Sequence, residues 1–344
     1  MTAELILHSA GPALSIQDQG RPGHLASGLT RGGAADCLAL AEGAALLGQD
    51  PSLAAIEMMG MGGSFESTQD TVIALTGATM SAQLDGAALR WNASHLLPAG
   101  ARLTIGGAIT GTYGYLHIAG GIDTPLQMGA RAGHGSAGIG TPLVAGTRLP
   151  IGAGPTPAAG YFLTPDDRMS GGELRVVRSA QTAQFDAQTQ GRFERTAFHK
   201  DMRANRMAVR MDHGAAPFQA QNGLGIVSEV IVTGDIQIAG DGAPFILMAE
   251  CQTTGGYPRI GTVLPSDLPR VAQAQAGTQF TFRFVSLQDA KDIELCARAK
   301  TRALGGAIRP LVRNPGDIAD LLSYQLISGA VDARADPFTQ KGDP

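Results

Sequence analysis

Between residues 71 and 119 short apolar segments, at 71–76, 80–84, 89–91, 101–105 and 113–119, alternate with glycine or Asp-Gly turns. Segments recurring every ~8–12 residues with such turns read as antiparallel strands, and a sandwich or a barrel is the architecture they suit. Asp85-Gly86 is the clearest hairpin turn, because a two-residue type I′ turn needs positive φ at both positions. Glycine supplies 47 of 344 residues while aromatics supply 5%; about twice the usual share of glycine fits a chain with many turns. The length exceeds one ordinary domain, and each half is long enough to bury its own core.

In chain order, strands are expected at 4–8 and 13–17 around Gly11-Pro12. The run QDQGRPGH, with Gln17, Asp18, Gly20, Arg21 and Gly23, follows. It is either a ligand-holding loop or a turn with a surface Asp18/Arg21 ion pair. Small and apolar residues over 34–47 predict a packed helix, with Asp36 at its positive end and Gly48 as C-cap. His117, in an apolar strand without a second His or acid at ligand spacing, reads as a satisfied barrel histidine. Thr124-Pro125 predicts a short helical turn ending near Gly129, before Arg131 and His134 in a glycine-rich loop.

A Pro- and Gly-rich stretch at 153–172 reads as a linker, dividing the chain into 1–152, 173–290 and an extension, 291–344. In the second half strands are expected at 173–178, 224–227, 230–233 and 235–239. Ser266 is expected to cap a helix over 266–275, and Ser286 with Asp289 to form a capping box opening a helix to about 304, stopped by Gly305-Gly306. A last helical stretch is expected at 317–327. AGARLTI, AGTRLPI and AGTQFTF, with two strands that each open into a double glycine (Gly120-Gly121 and Gly255-Gly256), suggest a duplicated β unit.

The densest polar stretch is ECQTTGGYPRIG, which follows the apolar strand PFILMA. Gly255 and Gly256 permit close backbone approach, and Arg259 offers a planar fork suited to a carboxylate or phosphate. A wide turn with a solvated arginine is the other reading. Turned toward one cleft, the two double-glycine elements would present donors from both halves to one substrate.

A net charge of -4 and pI near 6.0 provide no footprint for nucleic acid. Four lysines, Lys200, Lys291, Lys300 and Lys341, make no polybasic patch for a membrane. Cys37, Cys251 and Cys296 lack CxxC spacing, so free thiols are expected and no metal. With no signal-like N-terminus and no run of ~18 apolar residues, a cytoplasmic protein is expected. No GxxxxGK[ST] loop, no G-x-G-x-x-G opening a helix of a βαβ unit, no G-x-S-x-G elbow and no HExxH occurs. A Met-Lys-Met biotinylation site is also missing, so any ATP or biotin is held non-covalently or supplied by another chain.

The strings SIQDQGRPGHLASGLTRGGAAD, AAIEMMGMGGSFE, IALTGA, LDG, YLHIAGGIDTPLQMGAR and CQTTGGYPRIGTVLPSDL resemble the family of biotin-dependent carboxyltransferases and 5-oxoprolinase C-type subunits. Its members are also called allophanate hydrolase subunit 2, after fusion to urea amidolyase. The resemblance implies a mainly β chain of two tandem cyclophilin-like barrels with a few short helices and a helical C-terminal extension. It also implies a subunit, inactive alone, of an ATP-dependent hydrolase acting on a small amide or lactam with a B-type subunit, and with an A-type hydrolase subunit opening the ring. Two alternatives stay open: a carboxyltransferase component of a urea-type carboxylase using biotin not attached to this chain, and a non-catalytic regulator that binds a partner protein.

Position by position, the resemblance assigns catalysis to Asp18, Arg21, Asp36 and Arg259, with Asp18 or Asp36 as base or orienter. It assigns substrate binding to Gln17, Glu57, Arg131, Gln252, Thr254, Gly255, Gly256 and Tyr257. The chain departs from the family at 129–133, where an arginine stays but hydroxyls are lost, at 205–208, which reads Asn-Arg-Met-Ala, and at Gly43 and Gln49, where the family carries asparagines.

Overall fold

The computed structural model describes residues 3–312 except 155, 156, 222, 224 and 225, and it is mainly β. The first unit contains β1 (Glu4–Ala10), β2 (Leu14–Gln17), β3 (Ala55–Met59), β4 (Gly63–Ser67), β5 (Thr71–Leu84), β6 (Ala87–Ala88), β7 (Ala93–Leu97), β8 (Arg102–Ile118), β9 (Arg148–Pro150) and β10 (Tyr161–Phe162). The second contains β11 (Gly172–Val177), β12 (Phe198–Lys200), β13 (Ala208–Asp212), β14 (Glu229–Val230), β15 (Asp235–Ile238), β16 (Pro244–Leu247), β17 (Thr254–Gly255), β18 (Arg259–Val263) and β19 (Gln279–Phe284). The helices are α1 (Cys37–Leu47), α2 (Ala187–Arg195), α3 (Leu268–Gln273), α4 (Leu287–Arg302) and α5 (Leu304–Ala307), after which β20 (Arg309–Pro310) returns to pair with β10 in the first unit.

The ten strands of the first unit and β20 form a branched sheet of 11 strands, and seven strands of the second unit close into a barrel. Parallel pairing of β11 with β19, from Gly172↔Phe280 onward, closes that barrel. Alternate residues face inward, as the period of two requires: Leu174 and Val176, Val209 and Met211, Ile236 and Ile238, Phe280 and Phe282 are all buried. Phe193 of α2 stacks on Phe282 with centroids 4.5 Å apart. It is the buried residue of an otherwise polar helix, which is why that helix is not evident from apolar periodicity.

The paired segments 71–76/80–84 and 101–105/113–119 are in fact two long strands, β5 and β8, whose mutual register shifts between Gly77 and Ala82. The apolar pattern breaks there because the strands bulge, not because they turn. A Cβ on Gly77, at φ 75°, would lie 2.4 Å from the Tyr113 carbonyl oxygen, so only glycine suits that kink. Residues 89–91 form no strand and lie between β6 and β7. Asp85 and Gly86 do take the positive φ values, 46° and 86°, of the expected hairpin turn.

No helical turn follows Pro125; the loop reverses instead through Met128 and Gly129, at φ 52° and 85°. Ser266 is no cap, because the turn starts one residue earlier, with Pro265 at its first position. Ser286 does cap α4, accepting the Asp289 N–H at 3.1 Å. The helix ends at Arg302, and Gly305-Gly306 lie within α5. Of the strand expected at 230–233 only Val230 forms, joined to Glu229 in β14 and paired with Thr254–Gly255. Residues 224 and 225 of another expected strand, and the stretch 317–327, lie outside the described residues. The Pro- and Gly-rich stretch around 153–172 contributes β10 to the first sheet and a buried arginine, Arg168.

Helix α1 is fixed at both ends. Asp36 Oδ1 accepts the N–H groups of Leu38 and Ala39 at 3.0 and 3.1 Å, and Gly48 closes the helix at φ 58°. Between them Gly43 lies flat on the buried His117 ring, where a Cβ would come within 2.2 Å of the imidazole. His117 is 2.8 Å from Thr76 Oγ1, and burial pushes it down to about 3, so it is neutral. Gly43→Ala should therefore destabilise by ~1–3 kcal/mol through overpacking, although alanine is the better helix former by ~1 kcal/mol. Urea denaturation checks the sign, and a stabilised variant would mean that ring and helix yield freely.

Candidate functional site

A cleft of about 760 Å³ opens between the two β units. Its first wall is the loop and helix carrying Asp18, Gln19, Arg31, Gly32, Ala35 and Cys37; its second carries Thr233, Met248, Ala249 and Pro265, and the end of α4 adds Arg302. The loop before α1 is held in shape by its own backbone and by Asp18. Asp18 Oδ1 accepts the Gly20 N–H at 2.7 Å and Oδ2 the Arg131 N–H at 2.6 Å, while the Asp18 carbonyl accepts the Ala34 N–H at 3.0 Å. Gly20 turns at φ 75° with the Arg31 carbonyl 2.4 Å from where its Cβ would be.

Arg21 is buried and makes no ion pair with Asp18. Its Nη2 donates to the Ala132 carbonyl and its Nε to the Gln127 carbonyl at 3.4 Å, while Nη1 has no partner among the described residues. Burial lowers its proton affinity, and the charges of Asp18 and Glu250 work against that shift. Gln17, also buried, reaches the Gly133 carbonyl at 3.2 Å. Arg131 turns its side chain to Asp123. Gln17, Asp18, Arg21 and the Arg131 backbone thus join the 17–34 loop to the 127–134 loop, and the expected surface ion pair is replaced by buried bonding to carbonyls.

Behind this loop lies a charge cluster that crosses between the units. Arg206, from the second, donates Nη1 to Glu57 and Nη2 to the Gly33 carbonyl at 2.5 Å in the first, and Nε to Glu250 at 2.5 Å in its own. The other Glu57 oxygen accepts the Tyr115 hydroxyl at 2.7 Å and the Ala35 N–H at 2.8 Å. Glu250 in turn accepts the Ser136 N–H at 3.3 Å, and Ser136 Oγ lies 3.1 Å from His134, whose other ring nitrogen lies 2.9 Å from Thr30. Burial lowers the His134 pKa against the opposing pull of Glu250.

Asp36 sits at a second junction. Besides capping α1, it accepts Arg168 Nε at 2.8 Å and Gln273 Nε2 at 2.8 Å. Arg168 also holds both oxygens of Glu42, at 2.8 and 2.6 Å. Both oxygens of Asp36, expected as base or orienter, are thus engaged within the protein, where it is a joint between helix, linker and α3.

The TGGYPR stretch lies elsewhere. Gln252 and Tyr257 line a groove of about 460 Å³ with Gln237, Phe245 and Leu247. This is the outer face of the second barrel, since the alternate residues Ile236, Ile238 and Ile246 fill its core. Thr254 and Gly255 pair with β14. Gly255 packs on Gln237 and Ile231 and Gly256 on Ile226, whereas Gly120 and Gly121 pack on Gly152 and Leu53. The two double-glycine elements consequently do not converge on one cleft.

Nor is Arg259 an open fork. Its nitrogens reach Gln181, the Val230 carbonyl at 2.9 Å, Asp235 at 3.2 Å and Glu229 at 2.7 Å. The exposed-anion reading gives way to a guanidinium consumed within the protein. Arg31 lines the cleft instead, as Arg302 does, and among the described residues only its Nε is engaged, by the Gln19 carbonyl at 2.7 Å. Arg31 stands inside the first motif string, so proximity to Asp18 is a signal for it. Arg206 stands at a departure from the family pattern, and nothing local marks Arg168 or Gln273.

A family model described as carboxyltransferase domain, subdomain A and B, matches residues 27–284. The C-type subunit of the Escherichia coli (strain K12) 5-oxoprolinase is 33% identical over 286 residues, 82% of this chain and 91% of that protein. Its namesake from Haemophilus influenzae is 32% identical over 80% of this chain and 89% of its own length. Among solved structures, the Kluyveromyces lactis urea carboxylase superposes with a TM-score of 0.78 at 21% identity, covering 91% of this chain and 31% of that one. That likeness is one of fold, and this chain spans about a third of the urea carboxylase.

Proposed function

We propose that this chain, which belongs to the family of the carboxyltransferase domain, subdomains A and B, is the C-type subunit of a 5-oxoprolinase-type complex whose substrate occupies the cleft between its two β units. The observation that carries this reading is the cleft itself: it draws walls from both units, and its loop is tied across the junction by Arg206. Its volume lies within the ~300–1,000 Å³ of small-molecule sites. Arg31 and Arg302 line it, which suits a small anionic lactam such as 5-oxoproline, and the Arg31 fork can take a carboxylate in two bonds.

ATP would be used by the assembled complex, supplying the phosphoryl group that activates the amide carbonyl. Within this chain Arg31 and Arg302 are the groups that would hold phosphoryl oxygens, and a B-type subunit would supply the rest of that site. Biotin, in the carboxyltransferase alternative, would arrive on another chain.

Reconstitution tests the reading. This chain mixed with B-type and A-type subunits should release glutamate from 5-oxoproline only when ATP is present, and the chain alone should release none. Arg31→Ala in the mixture should raise KM at least ~10-fold, about 1.4 kcal/mol. Turnover by the isolated chain would overturn the subunit reading, and carboxylation of urea from carboxybiotin by the mixture would favour the alternative.

A further inference from the structure

A second cavity, of about 90 Å³, lies beside the cleft and shares Ala35, Met248 and Ala249 with its wall. Lys200, at the end of β12, lines this annex and is only 5% exposed. Its Nζ donates to the carbonyls of Val271 and Ala272, both at 2.9 Å, and no carboxylate pairs with it among the described residues. A neutral amine has two N–H bonds, and those two carbonyls use both; among the described residues no side-chain or backbone donor meets the lone pair. The other titratable groups lining the annex are Asp201, Arg206 and Tyr113. Asp201 is engaged by Arg203 at 2.6 Å and Arg206 by Glu57 and Glu250.

We propose that Lys200 is the proton acceptor of the cleft, taking a proton from a substrate amide N–H through water held in the annex. This rests on the reading of the cleft as the substrate site. Transfer of a phosphoryl group to the amide oxygen releases the N–H proton and uses such an acceptor: the N–H bond breaks, its electron pair forms the C=N bond of the O-phosphorylated imidate, and the Nζ lone pair forms the new N–H bond of an ammonium. The carboxylates near the cleft are already engaged, Asp18 by two backbone N–H groups, Asp36 by Arg168 and Gln273, and Glu57 by Arg206 and Tyr115. The annex is roomy enough for water, since a polar site needs only ~10–15 Å³ of such space to hold one. Burial also pushes Lys200 down to about 7, the range in which a general base works best.

Two measurements test this separately. In the isolated chain, reductive methylation with formaldehyde and cyanoborohydride across pH 5–11, read by peptide mass spectrometry, should give Lys200 a midpoint near 7. A Lys200 midpoint above ~9, or no labelling at any pH by so small a reagent, overturns the proposal whatever the substrate. In the reconstituted complex, Lys200→Gln, which keeps donors for the two carbonyls, and Lys200→Met should each lower kcat at least ~100-fold. Both should also abolish the acid limb of the pH profile while Tm stays within a few degrees of wild type. Wild-type turnover in either variant overturns it too. A wild-type mixture with no activity would count against the proposed function alone, because the labelling result stands without substrate.

Discussion

Arg168→Ala should lower the unfolding free energy by ~3–5 kcal/mol, the usual cost of removing one partner from a buried ion pair. Arg168 is 4% exposed, Asp36 0% and Glu42 5%, so neither carboxylate can turn to water when the guanidinium leaves. Asp36 keeps its two helix N–H donors and Gln273; Glu42 loses both of its bonds to Arg168. The cost should therefore be centred on Glu42 and depend on pH. Burial pushes that carboxyl up to about 7 even with Arg168 opposing it, and loss of the arginine pushes it further. A carboxyl whose folded pKa lies above its unfolded value loses stability as pH rises, so the variant's deficit should grow from pH 5 to pH 8. Adding Glu42→Gln should remove that pH dependence and restore part of the loss, as a double-mutant cycle would show. A deficit below ~1 kcal/mol at pH 8 would mean that Glu42 is not charged in the folded protein.

Local chemistry makes the strands and α1 legible, and long-range chemistry is what it conceals. The inward alternation of Leu174/Val176 or Phe280/Phe282 is visible in the sequence because it repeats every second residue, and Asp36 reads as a helix-start acid because its partners, Leu38 and Ala39, are adjacent. Its other partners, Arg168 and Gln273, lie 132 and 237 residues away, and no local pattern predicts their arrival. The same reasoning separates Arg259 from Arg31. A Gly-Gly-Tyr-Pro-Arg turn has the composition of an anion site, but Glu229 and Asp235, 30 and 24 residues earlier, occupy the fork. Lys200 is hidden for a related reason: a lone lysine in a polar stretch looks solvated until α3 and the first unit cover it.

Arg206→Ala should have an effect of similar size on stability and a further one on function. Three acceptors surround this guanidinium, Glu57 and Gly33 from the first unit and Glu250 from the second. Glu57 is 1% exposed and Glu250 5%; without the cation two buried carboxylates would face each other, again at ~3–5 kcal/mol. Because the bond to the Gly33 carbonyl anchors the loop that carries Arg31 and Asp18, the cleft should also loosen, and 5-oxoproline turnover by the reconstituted complex should fall at least ~10-fold. Lysine keeps the charge but cannot reach three acceptors arranged around one plane, so Arg206→Lys should recover part of the stability and little of the turnover. Joining Glu57→Gln to Arg206→Met removes the uncompensated charge and should restore stability without restoring the anchor. Urea unfolding and kcat/KM on these variants separate the two roles. If turnover followed stability in all of them, Arg206 would act only as a fold contact and the cleft would not depend on the clamp between its walls.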